Sequence, residues 1–340
     1  MAKKRTIYDI ASELGLAPGT ISKVLNHTGN VSSKTRERVL SYIKQVGYVP
    51  TSSARMLKSR RTYTIGVVFT EESDIGLEHS FFSSILQSFK TYAENEGYEL
   101  SFIVRKLGKN QLTYYEWCMN KRVDGVYIVV GDFNDQGLHE ILESGIPAVS
   151  TDMFLPGLHT VVSDNDQGIR LTLEYIKNDL KKKHVAMVGG PVTSKAFVER
   201  LISFQKYTPI YKLQSSKEDI VLSESFGFTG GFNAVKQLMK QVKSRPEVIL
   251  AASDDIALGV IKGLTSMGIK IPEEIQVIGF DDIAFAKHFT PSLTTIAQNR
   301  ILLGQTAAKM LIHLIESPED EIEEIITLPV ELVERESTKR

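Results

Sequence analysis

The first regular pattern of apolar positions lies in Thr6 to Asn26, TIYDIASELGLAPGTISKVLN. Ile7, Ile10, Ala11 and Leu14 recur at i, i+3, i+4 and i+7, the spacing of one buried helical face. Thr6 stands where an N-cap belongs, Gly15 supplies the positive φ of a helix exit, and Leu16 plugs the gap to a second helix. Pro18 suits a first helical turn, and Ile21, Val24 and Leu25 form the buried face of that second helix. Pro18, Gly19, Ser22, Lys23 and Asn26 are left facing outward. That is the geometry of a helix-turn-helix whose second helix enters a DNA major groove N-terminus first. A third helix opens behind Ser32 as its cap and is expected to turn Val39, Leu40, Ile43 and Val46 toward the first two.

From Thr64 the period changes. Short β-rich runs, TIGVVF, LSFIV, VDGVYIVV and IPAVS, alternate with helical stretches over 85–95 and 114–120. A second series, HVAMVG, EVILAAS and IQVIGF, follows with helices between its members. Such alternation predicts parallel sheets covered on both faces. Two doubly wound halves facing one another leave a cleft at the carboxyl ends of their strands, where small ligands bind.

Length and charge sharpen this division. With 340 residues, 42% of them hydrophobic, the chain can fill more than one core. It has no apolar run of membrane-spanning length, and Lys3, Lys4 and Arg5 lead into an amphipathic helix rather than a signal-peptide core, so a cytoplasmic protein with no membrane partner is expected. Cys118 is the sole cysteine and cannot form an internal disulfide; it reads as a half-buried thiol beside Trp117. The net charge of −1 conceals an asymmetry, because residues 1–61 carry twelve Lys and Arg against Asp9, Glu13 and Glu37, or +9, which leaves −10 for the remainder. A basic head on an acidic body is the electrostatic footprint of a nucleic-acid reader joined to a module that does not bind nucleic acid.

Catalytic signatures are missing from the sequence. It contains no glycine-rich phosphate loop, no metal-spaced His/Cys cluster and no nucleophile elbow, so no catalytic residues, no metal and no cofactor are expected. His79, His159, His184 and His288 read as surface or loop residues. Two other classes are weighed beside a regulator. One is a solute-uptake binding protein, which calls for a secretion signal and no head and meets neither demand; what stays as the alternative is a non-secreted solute-binding or enzyme-like α/β protein with an accessory DNA-binding head.

The head resembles that of the lactose/galactose repressor (LacI/GalR) family of bacterial regulators. Thr6, Ile7, Asp9, Ile10, Ala11, Gly15, Thr20, Ser22, Val24, Leu25 and Asn26 match the family pattern. Ala17 departs from it, replacing a Ser N-cap that contributes about 1 kcal/mol. Tyr48, Pro50, Ala54, Arg55 and Leu57 resemble the family's hinge, in which a leucine wedges into the minor groove. The body carries further family motifs at Val123-Asp124-Gly125, Ser163-Asp164-Asn165, Gly189-Gly190-Pro191, Asp254 to Gly259, Gly279-Phe280-Asp281-Asp282 and Leu293-Thr294-Thr295.

The resemblance implies an all-α helix-turn-helix head plus an α/β body like a periplasmic binding protein, with two doubly wound parallel-sheet subdomains. It divides the chain into a head over 1–48, a hinge helix or linker over 49–62 and a body over 63–340, with one subdomain at 63–162 and 293–325 and the other at 163–292 and 326–340. It implies a repressor of carbohydrate-utilisation genes. DNA contacts then fall to Thr6, Tyr8, Pro18, Gly19, Thr20, Ser22, Lys23, Asn26, Ser32, Thr35, Tyr48, Ala54, Leu57 and Lys58. Effector contacts fall to Phe82, Asp152, Arg200, Ser253 and Asp281, while Asp254, Asp255 and Asp282 are as suited to capping helices or orienting loops. The implied partners are pseudo-palindromic double-stranded operator DNA, a small-molecule effector such as a sugar or sugar phosphate, and a second copy of the chain. A dimer is expected because Lys339-Arg340 is reached without the leucine-heptad helix of tetrameric relatives. Ser203 replaces a usual Gly, and Thr208-Pro209 ends the following helix early. Effector identity, and whether it releases or tightens the grip on DNA, therefore stay open.

Overall fold

The computed structural model describes residues 5–25, 29–48, 61–69, 77, 79–130, 135–151 and 153–340. Contacts divide the chain into two units, Met1–Thr62 and Tyr63–Arg340.

In the first unit Thr6 and Asp9 cap α1 (Ile7–Leu14) reciprocally: the Asp9 amide donates to Thr6 Oγ1 at 3.3 Å and the Thr6 amide to Asp9 Oδ2 at 2.7 Å. Gly15 leaves the helix at φ 62°, where a side chain would be strained. The chain re-enters α2 (Pro18–Leu25) at proline, and Ser32 caps α3 (Ser33–Val46) by accepting from the Thr35 amide. Ile10, Ala11, Leu14, Ile21, Val24 and Val39 are buried together, with Leu16, Tyr42 and Ile43 packed against them. One expectation fails here. Leu40 is exposed and Val46 stays outside this core, because the helical period carries the inward face of α3 through Val39, Tyr42 and Ile43, about 100° round from Leu40.

The second unit holds two six-stranded sheets. Sheet one takes β1 (Thr64–Phe69), β2 (Glu99–Ile103), β5 (Gly125–Val130), β6 (Ala148–Thr151), β7 (His159–Ser163) and β13 (Ile325–Leu328), in the order β13-β7-β6-β5-β1-β2, all parallel. A small hairpin, β3 (Lys106–Leu107) with β4 (Asn110–Gln111), lies between β2 and the next helix. Successive residues alternate faces. Ile65, Val67, Tyr127 and Val129 share a core with α4 (Ser80–Asn95) and α11 (Arg300–Glu316), whereas Val68, Val126 and Ile128 share one with α5 (Tyr114–Lys121) and α6 (Gln136–Glu143). Phe89 stacks flat on Tyr127 at 3.9 Å in the first of these, and Cys118 is fully buried in the second rather than half-buried, its thiol pushed up to about 12 by burial.

Sheet two takes β8 (Val185–Gly189), β9 (Ile220–Leu222), β10 (Val248–Ala251), β11 (Gln276–Asp281), β12 (Thr294–Gln298) and β14 (Val330–Val333), in the order β14-β12-β11-β10-β8-β9, with only β14 antiparallel. α7 (Asn165–Asn178) packs on Phe280 through Gly168, while α10 (Asp254–Ser266) packs on the neighbouring Gly279, so the two helices cover opposite faces. α8 (Lys195–Ile210) lies beside α7, and α9 (Phe228–Gln241) beside α10.

The chain passes between the sheets three times, through single residues: Asp164 after β7, Asn299 after β12 and Pro329 between β13 and β14. The crossings differ from the expected subdomain boundaries, since 294–298 belongs to sheet two and 325–328 to sheet one. Each passing strand pairs along its whole length with the sheet it leaves, and the switch falls after its last residue. Two bonds tie the crossings together, Asp164 N to Leu328 O at 2.8 Å and Val330 N to Gln167 Oε1 at 2.9 Å.

α9 and α10 meet backbone to backbone. A methyl on Gly231 would strike the Ile256 carbonyl, and one on Gly259 the Phe228 carbonyl. Gly259→Ala should therefore overpack this seam and cost about 1–3 kcal/mol. Thermal unfolding would show this as a lowered midpoint, and a wild-type midpoint would mean that the helices separate without penalty.

Candidate functional site

In the first unit the described residues among the expected DNA contacts are all exposed or half-buried. Gly19 and Lys23 are exposed on α2 and Pro18, Thr20 and Ser22 half-buried, while Tyr8 projects from α1 at 70% exposure. The aliphatic stem of Lys23 lies over Gly29, where a side chain would crowd it. Thr6 and Ser32 are exposed, and Thr35 and Tyr48 half-buried. Ser32 and Thr35 join their hydroxyls at 2.8 Å, so two of the expected phosphate-contacting groups also hold the start of α3. Asn26, Ala54, Leu57 and Lys58 lie outside the described residues, as does Asp152 of the effector set.

In the second unit the carboxyl ends of the strands converge on Arg200. It projects from α8 and is 2% exposed. Its Nε donates to Asn165 Oδ1 at 2.8 Å, and its Nη1 donates to the Ala252 carbonyl at 2.6 Å and stands 3.7 Å from Asp281 Oδ1. The guanidinium lies 3.6 Å from the centroid of the Phe280 ring. Phe197, one turn earlier on α8, pairs with Phe226 at 5.6 Å, an aromatic wall beside the cation. Asn165 is held in turn by donating to Glu199 at 2.9 Å.

Asp281 has φ 129° and Asp282 φ 54°, two consecutive non-glycine residues in disfavoured backbone at the end of β11. Gln298 Nε2 fixes the first by donating to its carboxylate at 2.6 Å, and Arg335 fixes the second by an ion pair at 2.6 Å. Burial pushes the Asp281 carboxyl well above its usual range, against the pull of Arg200. Asp254 is fully buried and serves the loop: it accepts from Thr295 Oγ1 at 2.5 Å and from the Ile283 amide at 2.9 Å, and burial still pushes it up to about 7. Ser253 caps α10 through the Ile256 amide. Among the described residues no group of His, Cys, Asp and Glu is arranged to hold a metal ion, and no helix is long and apolar enough to cross a membrane.

Residues 6–51 match the model of bacterial regulatory proteins of the lacI family, and residues 179–338 match the periplasmic binding protein-like domain. The HTH-type transcriptional repressor PurR of Vibrio cholerae serotype O1 (strain M66-2) is 31% identical over 341 residues, covering 98% of both chains. The chain belongs to the lacI family. Like its family, it is a DNA-binding transcriptional repressor, and the uptake-protein and enzyme alternatives fall away. Two solved lacI-family structures align along almost the whole length. The lac repressor dimer bound to operator and the anti-inducer ONPF is 27% identical with a TM-score of 0.81, covering 99% of both chains. The transcriptional regulator CelR in its cellobiose complex is 27% identical with a TM-score of 0.71, covering 98% of this chain and 99% of that one.

Of the five residues that family likeness assigned to the effector, the structure brings Arg200 and Asp281 together. Phe82 packs edge-on against Phe81 at 5.1 Å inside the core, and the Ser253 hydroxyl is spent on its helix. Reading the sequence passed over Asn165, Phe197, Phe226 and Gln298. For Asn165 and Gln298 the one available signal was position, just beyond β7 and at the end of β12; Phe197 and Phe226 lie farther along the chain from β8 and β9. His79 and His184 also depart from expectation. His184 Nε2 meets Asp219 at 2.8 Å, and His79 is mostly buried, 3.6 Å from Asp255. Ser203, the departure from the family glycine, donates to Asp166 at 2.9 Å and so locks α8 onto α7.

Asp254 yields a pH test. Its folded-state pKa lies above its unfolded value, so the folded protein keeps a proton that the unfolded chain releases between about pH 4 and 7. Wild-type stability relative to Asp254→Asn should thus fall as pH rises through that window, by at most about 1.4 kcal/mol per pH unit. Urea unfolding of both proteins across the window measures it, and a difference independent of pH would contradict the assignment.

Proposed function

We propose that this repressor acts in the cytoplasm as a dimer on a pseudo-palindromic operator, and that a sugar-class effector held at Arg200 and Asp281 changes its grip. The observation that carries the reading is the floor itself: a buried guanidinium, a carboxylate and the Phe197–Phe226 wall at the carboxyl ends of sheet two. Polyols are held by carboxylates and Arg against the hydroxyls and by aromatic faces against C–H groups. The cellobiose complex of a structural neighbour supports the same class. A planar heterocycle is the second reading, favoured by the same aromatic pair, whose face suits a flat ring as well as a sugar.

Thermal shift with mono- and disaccharides, sugar phosphates and purine bases separates the readings, because a bound ligand raises apparent stability by mass action. Sugars are expected to shift the midpoint, and a response confined to the bases would favour the heterocycle. Asp281→Asn should weaken the response of operator binding to the active sugar at least tenfold while operator affinity without sugar is preserved. Loss of operator affinity in this variant would sink the separate sensor. Leu57→Ala is expected to bind operator and random duplex alike, whereas a retained preference in salt-matched gel shifts would remove the leucine wedge.

A further inference from the structure

Among the described residues two pairs of side chains meet across the lobes at the cleft, and neither belongs to the floor around Arg200. His79, at the start of α4 behind β1, places Nε2 3.6 Å from Asp255 Oδ2 on the first turn of α10 behind β10. Phe154, behind β6, lies with its ring centroid 3.4 Å from the ammonium of Lys195 on the first turn of α8, behind β8. Each contact takes one partner from sheet one and one from sheet two, and all four residues follow the carboxyl end of a strand.

The leverage of these contacts comes from the strand order. The three crossings engage β13 and β7 at one edge of sheet one, and β14 and β12 at the corresponding edge of sheet two. β1 and β8 are each the fifth strand from that edge, β10 the fourth and β6 the third, so the His79–Asp255 contact sits well out along both lobes and the Phe154–Lys195 contact spans from mid-sheet on one lobe to far out on the other. A rotation about the crossings moves such positions most, and neither contact survives an opening of a few ångströms. The contacts also flank the floor in sequence. Lys195 begins the helix that carries Arg200, Asp255 lies two residues beyond Ser253, and His79 rests its ring 4.9 Å from Phe82.

We propose that His79, Asp255, Phe154 and Lys195 form a clasp that sets how far the effector cleft stands closed. The proposal rests on the effector reading above only for its consequence, which is that ligand affinity scales with the closed fraction. The clasp itself is a property of the empty protein. Partly exposed cation–π and polar pairs are individually modest, so removing both should raise the open-to-closed ratio about three- to tenfold.

Pulsed electron spin resonance on the full chain reads this directly. Spin labels go on Cys introduced at exposed Glu143 of lobe one and exposed Lys240 of lobe two, with the labelled chain diluted into unlabelled protein. Buried Cys118 stays unlabelled. Lys195→Met combined with Asp255→Asn keeps the side-chain lengths and should move population to a longer interlobe distance. Lys195→Arg, which restores a cation over the ring, should return most of it when placed in the Asp255→Asn background. A distance distribution identical to wild type in a variant with an unchanged thermal midpoint overturns the clasp; so does a shift that Arg fails to reverse. No ligand enters this measurement, so a protein that binds none of the sugars would count against the effector reading and leave the clasp to the distances.

Discussion

A cation with almost no exposure organises the body of this protein. Arg200 would be costly to bury alone, and the cost is met by partners from four places: Asn165 at the start of α7, the Ala252 carbonyl beyond β10, the Phe280 face and the Asp281 carboxylate at the end of β11. One guanidinium thereby ties the carboxyl ends of neighbouring strands to two helices. Asp281 reaches it only by adopting a positive φ, and Gln298, the last residue before a crossing, holds the carboxylate in that pose. The floor of the cleft is held by these protein contacts alone, and the Gln298–Asp281 bond ties it to a strand that ends at a crossing.

The head follows a different economy. Its core is a handful of side chains, and its outward face is defined less by what it contacts than by what its caps leave free. Thr6 with Asp9 and Ser32 with Thr35 spend hydroxyls on helix starts, and Gly15 turns the chain so that Gly19 and Lys23 face out. The basic charge of the first 61 residues and the acidic charge of the rest confine attraction for a polyanion to the reader, leaving the acidic body repelled by it.

Much of this was legible in the sequence. The 3.6-residue period of Ile7, Ile10, Ala11 and Leu14 and the exit at Gly15 wrote out the helix-turn-helix, and alternating strand and helix patterns wrote out seven of the twelve strands in the two sheets, missing β7, β9, β12, β13 and β14. Arg200 and Asp281 were legible through family likeness. Where the reading failed, the cause was tertiary. Leu40 is apolar yet turned away from the head's core, which periodicity resolves only once Val39 is known to be the centre. His79 sits in a polar stretch, and nothing local shows that Asp255, far along the chain, closes over it. Asn165 stands in a family motif with no role assigned to it, and Gln298 closes a strand without belonging to any motif. Their chemistry emerges only when the crossings bring the strand ends together.

Two units, one that reads DNA and one with a preset ligand floor, make a regulator only if occupancy of one alters the other. Linkage makes that statement quantitative, because any factor by which effector changes operator affinity must reappear in the effector's own affinity when operator is bound. Calorimetric titration of the active sugar into the full protein, with and without saturating operator duplex, is the most direct test. The account predicts sugar dissociation constants that differ by the same factor as the operator constants measured with and without sugar. Equal sugar affinity in both titrations would contradict it.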